Sequence, residues 1–381
     1  MKIAVLMSHD TSNYKLGSEI FAENLSQELG KLGNEVHIFR GFSSRNKTFD
    51  SDEVRIHNFA QMNLPFIGSY SALRKMMKSL KEEELSGRFD WIIMIGGGTA
   101  IVSNKLRPRN LAFYISDTAR NEFKAIKKQW HPISCTTLKT YLFFSLISIG
   151  EKRGIKYSKF VICTSRFQID EIRNIYHIDN EKILFLPNGL PDLWYEEQTR
   201  PITGIKTPIN FIYFGAGKRR DLDLFLASLK NLKEEGFNVS GTVVRANSEE
   251  ILKLKNIRDL DIQIYNNISH ESLVDLYSNS LALVVPSYRE GFCLPVIEAA
   301  SQSIPTIASD LPQLHDLVTN NETGILIDNY LPENWVSAMR KLITDKTFYC
   351  KLKTGAKEKA VQFRLREIAI KLNKNLKEGL E

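Results

Sequence analysis

Two glutamates, Glu290 and Glu298, flank a glycine turn and the start of a short apolar helix, and no other stretch of the 381-residue chain is as suggestive of chemistry. The run Leu281 to Val285 reads as a buried strand, too short for a helix and ended by Pro286. Gly291 permits a positive φ or a close backbone approach, and Pro295 suits the first turn of a helix. A strand, a glycine turn and a helix N-terminus in that order aim several backbone N–H groups and a positive dipole end at one spot. That spot suits a phosphate. With a helix starting near Leu294, Glu298 lies one turn in and can face the same crevice as Glu290. Carboxylates there can accept hydrogen bonds from ribose or hexose hydroxyls without a metal. Spacing alone leaves a plainer reading open, with Glu298 pairing locally and Glu290 a surface acid on a loop.

Gly215-Ala216-Gly217-Lys218-Arg219-Arg220-Asp221 follows a strand and opens a helix, so its backbone and side chains can surround a phosphate, or simply form a solvated basic turn. Gly96-Gly97-Gly98 lacks both the Gly-Lys-Ser/Thr of a P-loop and the GxGxxG spacing, and reads as a tight turn lining a cleft. His9, His37, His57, His177, His270 and His315 show no ligand spacing. The four cysteines, Cys135, Cys163, Cys293 and Cys350, are scattered without a CxxC pair, as expected of reduced thiols in a cytosolic chain with no metal site.

The elements that would hold these residues alternate strand and helix. Lys2 to Met7 is a strand, Ser8 to Lys15 a polar loop, and Gly17 opens a helix with Ile20, Phe21, Leu25, Leu29 and Leu32 on one face. Strands follow at Glu35 to Phe39, Trp91 to Ile95, Leu111 to Ile115, Phe160 to Cys163 and Ile183 to Leu186, with helices including Ser71 to Leu85 and Thr137 to Lys152. Such alternation favours a doubly wound parallel sheet. Residues 198–208, with two prolines and Gly204, look like a linker. The alternation then restarts, with strands at Ile209 to Phe214, Ser240 to Val244, Ile262 to Tyr265, Leu281 to Val285, Pro305 to Ala308 and Gly324 to Ile327. Helices are expected at Asp221 to Glu235, Ser248 to Leu254, His270 to Ser278, Pro312 to Thr319 and Pro332 to Ile343, and the tail Lys346 to Glu381 reads as helix throughout. The expected organisation is therefore a first domain over 1–197, the linker, a second domain over 209–360 and a terminal helix over 361–381. Open sheets bind ligands at the carboxyl ends of their strands, so a cleft between two such domains is the expected place of a site.

The segment SYREGFCLPVIEAASQSIPTIAS resembles the E-x7-E signature of retaining family-4 glycosyltransferases, and the later Asp316-Leu-Val and Asn321-Glu-Thr-Gly324-Ile-Leu-Ile continue the likeness. It extends over most of the second domain and takes in Gly17, Glu151-Lys-Arg and Leu186-Pro-Asn-Gly189. The resemblance implies a GT-B fold: two doubly wound Rossmann-like domains facing across a cleft, donor in the second, acceptor in the first, with the C-terminal helix packing back on the first. It implies that Glu298 holds the donor ribose, that Glu290 touches the transferred sugar, and that Gly291, Phe292, Cys293 and Leu294 meet the diphosphate or sugar. Cys293 stands where the family has a glycine. The Gly215 turn takes the place of the family's GR…KG element, with Arg220 at the lysine position and Lys218 substituting for an arginine that falls near Ala216. Gly17 resembles the second half of a glycine pair that approaches donor phosphate or acceptor, or simply opens a helix, and Asp117 stands after Ser116 where many relatives carry a histidine. No cofactor or metal is implied, the nucleotide-sugar being a substrate. In such enzymes the protein positions substrates and stabilises the negative charge that develops on the leaving diphosphate.

Hydrophobic content of 43% and charged content of 25% are those of an ordinary globular protein, and the net charge of +7 is unevenly spread. Residues 101–166 hold thirteen Lys/Arg against three acids. Basic and aromatic residues (Lys124, Lys127, Lys128, Trp130) beside the apolar Tyr141 to Ile149 suit contact with an anionic membrane surface, or form a solvated face. No nucleic-acid reading module accompanies the charge. No stretch reaches the roughly 18 apolar residues of a membrane span, so a cytoplasmic enzyme, peripheral on the inner face of the membrane, is expected. The expected partners are a nucleotide-sugar donor and a glycan or lipid-linked acceptor. A GT-B epimerase or phosphorylase, or a non-catalytic nucleotide-sugar-binding scaffold, remains the alternative.

Overall fold

The structure is a computed structural model that describes residues 1–7, 17–42, 54–60, 74–76, 78–80, 89–100, 110–120, 123, 135–196, 207–215 and 217–380. These fall into two compact units, one formed by Met1–Gly189 with Leu365–Glu381 and the other by Leu190–Arg364. The expected loop 8–15, the side chains of Lys124 to Trp130, most of the 198–208 linker and most of the 71–85 helix lie outside the described residues.

The first unit is built on a seven-stranded sheet in the order β3-β2-β1-β4-β5-β6-β7, every neighbouring pair parallel. The strands are β1 (Lys2–Met7), β2 (Glu35–Phe42), β3 (Val54–Ala60), β4 (Trp91–Ile95), β5 (Leu111–Ile115), β6 (Phe160–Cys163) and β7 (Ile183–Phe185). The helices are α1 (Gly17–Lys31), α2 (Gly96–Ala100), α3 (Cys135–Tyr157) and α4 (Arg166–Tyr176), joined from the far end of the chain by α11 (Leu365–Glu378). β4 and β5 are buried at every position, as continuous apolar runs in a parallel sheet covered on both faces should be. β3 is absent from the sequence expectation. Its arginine, histidine and asparagine at Arg55, His57 and Asn58 break the apolar run, and among the described residues it is an edge strand that pairs with β2 alone.

The glycines expected to make a tight turn at 96–98 instead begin α2. Gly97 is needed there for close packing, since a Cβ would come within 2.7 Å of Ile147 and 2.9 Å of Glu151 on α3. α11 buries Leu365, Ile368, Ala369, Leu372 and Leu376 with Phe21, Ala22, Leu25 and Leu29 of α1. Three polar contacts fix it: Trp91 Nε1 donates to the Leu376 carbonyl at 3.0 Å, Asn34 Nδ2 to Asn373 Oδ1 at 3.0 Å and Lys371 Nζ to the Phe185 carbonyl at 2.9 Å.

The second unit carries a six-stranded parallel sheet in the order β10-β9-β8-β11-β12-β13. Its strands are β8 (Ile209–Phe214), β9 (Val239–Val244), β10 (Asp261–Tyr265), β11 (Ala282–Val285), β12 (Thr306–Ser309) and β13 (Gly324–Ile327). Its helices are α5 (Leu222–Glu234), α6 (Ser248–Lys255), α7 (His270–Ser278), α8 (Leu294–Ser301), α9 (Pro332–Thr344) and α10 (Lys346–Ala360). The helix expected over Pro312 to Thr319 is only a 3-10 turn at Pro312–Leu314 followed by turns.

The tail is likewise not one helix. A 3-10 turn at Val361–Phe363 and an extended Arg364 separate α10 from α11. Phe363 turns into the core of the second unit, its carbonyl accepts from Leu190 N at 2.9 Å, and Arg364 pairs with Asp192 at 3.0 Å. Two apolar stripes, Leu352-Ala356-Ala360 and Leu365-Ile368-Leu372-Leu376, therefore serve different cores. Read along the sequence they merge into one.

Candidate active site

The strand order of the second unit reverses between β8 and β11, which leaves the carboxyl ends of these neighbours at the switch point where open α/β sheets bind ligands. β8 runs into the Gly215 turn and β11 into Pro286 and the two glutamates. Asp221 N donates to the Pro286 carbonyl at 2.8 Å, which ties the two segments together.

Glu290 is 6% exposed, and its Oε1 accepts from Arg220 Nε at 2.7 Å and from Ser287 Oγ at 2.6 Å. Arg220 is as deeply buried and also donates to the Phe214 carbonyl at 3.0 Å and to Cys293 Sγ at 3.3 Å. A buried ion pair persists when hydrogen bonds from its surroundings support it, and here Ser287 donates to Glu290 while Phe214 and Cys293 accept from Arg220. Burial acts to raise the Glu290 carboxyl, but the Arg220 guanidinium and the Ser287 hydroxyl outweigh it and hold the group below the usual carboxylate range. Glu290 is therefore a fixed carboxylate.

Cys293 has φ +69°, in the left-handed region that favours glycine. It is the N-cap of α8 without capping it through its side chain, and Pro295 sits in the first turn, as expected. The thiol earns its place through contacts, since Arg220 donates to it and it lies in the core with Phe292 and Leu294. Glu298 is the fifth residue of α8, 6% exposed, and its Oε2 accepts from the Tyr277 hydroxyl at 2.8 Å. Burial pushes its carboxyl up, against the opposing pull of Arg245, the Tyr277 hydroxyl and Arg220.

The Gly215 turn fits only glycine at its first position. A Cβ there would lie 2.7 Å from the Ala246 backbone, the Arg245 carbonyl and the Glu250 carboxylate. Gly217 takes φ +56° and donates its N–H to Glu250 Oε1 at 3.1 Å. Glu250 also closes a capping box with Asn247 at the start of α6, so one carboxylate anchors both the turn and the next helix. Asp221 caps α5 through Leu224 N at 2.9 Å, and Arg219 is exposed. Lys218 belongs to the 3-10 turn Gly217–Arg219, but its side chain, like Ala216, lies outside the described residues.

Gly291, Phe292, Cys293, Leu294, Glu290, Glu298, Gly215 and Arg220 thus come from the two strand ends at one switch point. Arg220, expected at the position of the family's lysine, is buried and engaged by Glu290. Gly17 is the exposed first residue of α1 and belongs to the other unit. So does Asp117, in the bend after β5. That bend is held from behind by Glu151 of α3, whose Oε1 accepts from Ala119 N at 2.7 Å and whose Oε2 accepts from the Tyr176 hydroxyl at 2.7 Å. Burial raises the Glu151 carboxyl to about 7.

Three residues of these networks, Tyr277, Ser287 and Arg245, escape a reading of the sequence. The Asn247-x-x-Glu250 spacing is a legible capping box. The neighbours of Tyr277 and Arg245 are brought to them by the fold, and Ser287, three residues before Glu290, carries no signal of its own.

Two family models match the chain, Glycosyltransferase Family 4 over residues 17–192 and Glycosyl transferases group 1 over residues 196–359. In sequence it is 27% identical over 210 residues to the O-antigen chain mannosyltransferase RfbU of Salmonella typhimurium, covering 54% of this chain and 55% of that one. The chain spans about half the length of the curated relatives it matches. In structure it is similar to sucrose-phosphate synthase from Thermosynechococcus elongatus, with a TM-score of 0.79 at 19% identity over 99% of this chain and 98% of that one. It is also similar to Anabaena HepE in complex with UDP-glucose, with a TM-score of 0.72 at 15% identity over 99% and 100% of the two chains.

Proposed function

The chain belongs to the glycosyltransferases of family 4 and group 1, with their GT-B fold, and on that premise we propose that it is a retaining enzyme that moves a sugar from a nucleotide diphosphate to a glycan or lipid-linked acceptor. The observation that carries this reading is the switch point of the second unit. There a fixed carboxylate, Glu290, and a second buried carboxylate, Glu298, flank the N-terminus of α8 beside a glycine turn.

Glu298 accepts from the ribose hydroxyls of the donor. The α8 N-terminus offers backbone N–H groups to the diphosphate, and Lys218 and Arg219 of the Gly215 turn add positive charge. Glu290, locked by Arg220, accepts from hydroxyls of the transferred sugar. The bond from the anomeric carbon to the leaving phosphate oxygen breaks as the acceptor oxygen attacks on the same face. The acceptor proton passes to the departing phosphate oxygen, and the anomeric configuration is kept. Lys218 and Arg219 stabilise the charge that develops on the diphosphate, a task that then needs no metal ion. Gly17 and Asp117 serve in the other unit, Asp117 at the carboxyl end of β5 as a sugar or acceptor contact.

The likeness to a UDP-glucose complex and to an O-antigen mannosyltransferase supports a nucleotide-sugar donor and a glycan acceptor. The test is a panel of UDP- and GDP-sugars offered with glycan and lipid-linked acceptors, with product anomers assigned by NMR and the assay repeated in EDTA. Transfer with retention, undiminished by EDTA, is expected. Inversion or metal dependence would overturn those parts of the reading, and donor turnover to an epimer without acceptor would overturn the transferase assignment.

We further propose peripheral contact with an anionic membrane. No helix among the described residues is long and apolar enough to cross a membrane. The outward face of α3 exposes Leu146 at 52%, Ile149 at 45% and Tyr157 at 46%, interleaved with Lys152 and Lys156. Apolar and aromatic groups flanked by lysines suit the headgroup boundary of such a bilayer. Binding to anionic vesicles at low salt, absent with neutral ones, is expected; no binding to either would end this idea.

A further inference from the structure

Arg245 closes β9 and is one of five non-glycine residues with a positive φ among those described, at +56°. The backbone has reasons for this bend. Its N–H donates to the Tyr265 carbonyl at 2.7 Å, and its own carbonyl lies so close to Gly215 that a Cβ there would come within 2.7 Å. Nothing in these backbone contacts asks for an arginine. Glycine would adopt the conformation at less cost.

The side chain has a different setting. The guanidinium stands 5.9 Å from the centre of the Phe214 ring, which is itself stacked on Tyr277 at 5.7 Å, and the Tyr277 hydroxyl donates to Glu298. Among the described residues no hydrogen bond or ion pair holds the guanidinium, half-buried at the carboxyl end of the strand beside the switch point. Arg220 offers the contrast, with its donors spent on Glu290, Ser287, Phe214 and Cys293. A half-buried fork of five donors with none engaged by the described residues has capacity for a ligand.

We infer that Arg245 is a donor-binding residue whose guanidinium contacts the nucleoside half of the nucleotide diphosphate, next to the ribose held by Glu298. This rests on the donor-site reading given above. The nucleoside half is indicated because the guanidinium stands over Phe214, which stacks on the Tyr277 that donates to Glu298, whereas Glu290 is held by Arg220. Through that charge Arg245 also helps keep the Glu298 carboxyl ionised for its ribose contact.

The test uses the full chain and two probes, UDP and GDP, in calorimetric titrations. Arg245→Gly suits the backbone at +56° and should keep or raise the melting temperature, so a loss of binding would not come from unfolding. Relative to the native protein it should weaken the better-bound nucleotide about 10-fold or more. Arg245→Lys should recover part of the loss, and Arg245→Gly should move the acid limb of the binding–pH profile to higher pH as Glu298 loses its neighbouring cation. Binding by Arg245→Gly within about twofold of native, a step below the range of one hydrogen bond, would overturn the inference while leaving the donor site standing. A native protein that binds neither UDP nor GDP would remove the donor reading and this inference with it.

Discussion

Replacing Glu151 by glutamine should make the protein more stable at pH 8 and change little at pH 5. Glu151 lies under the bend that carries Asp117, and burial is the main force raising its carboxyl from 4.5 to about 7, with Asp117 and Glu171 adding to the rise. At about 1.36 kcal/mol per pH unit, that rise corresponds to about 3 kcal/mol. The sign follows from proton counting. Below pH 4.5 the group is protonated in both folded and unfolded chains and costs nothing. Between about 4.5 and about 7 the unfolded chain releases a proton that the folded one keeps, so stability falls as pH rises. Above about 7 both are ionised and the full cost remains. Glutamine is neutral and nearly isosteric: its oxygen can still accept from Ala119 N, and its NH2 can donate to the Tyr176 oxygen. Scanning calorimetry of the native and Glu151→Gln proteins from pH 5 to 8 should show a gap that widens with pH, to roughly 6–12 °C in the transition of the first unit. A gap independent of pH, or a variant less stable than native at pH 8, would refute the assignment of a buried, raised carboxyl.

Other expectations follow from the second unit and the thiols. Glu290→Ala leaves the Arg220 charge buried and unpaired and should cost about 3–5 kcal/mol in denaturant unfolding; a loss below about 1 kcal/mol, the range of an exposed pair, would mean that solvent reaches it. Cys350 is exposed, whereas Cys163 and Cys293 are buried and burial raises both thiols, Cys163 to about 12. Mass spectrometry after brief iodoacetamide treatment at pH 7.5 should therefore find Cys350 labelled and the other two protected, and early labelling of Cys293 would contradict its packing beneath α8.

The strands were legible wherever the chain wrote a continuous apolar run closed by glycine or proline. Leu281 to Pro286 and Trp91 to Gly96 are such cases, because a parallel sheet covered on both faces leaves no polar position to blur the signal. β3 fails the same criterion as an edge strand with polar side chains. The tail failed for another reason: a single extended residue, Arg364, divides two stripes whose periodicity runs on across it. Within the site, residue types and spacing placed Glu290, Glu298 and the Gly215 turn, since glycine and proline fix backbone shape locally. The partnership of Arg220 with Glu290, 70 positions away, was not legible. Neither was that of Tyr277 with Glu298, because strand order, and not sequence distance, sets both. Cys293 shows how a departure from a family pattern is absorbed. A non-glycine residue holds the left-handed backbone, and Arg220 turns a donor to its sulfur.

The central claim is that Glu298 anchors the donor through its ribose. Isothermal titration of the native protein and of Glu298→Ala with a panel of UDP- and GDP-sugars tests it most directly, with circular dichroism to confirm that the variant folds. Loss of hydrogen bonds to a charged acceptor should weaken the best donor by on the order of 100-fold. An unchanged affinity of the folded variant for that donor would contradict the account.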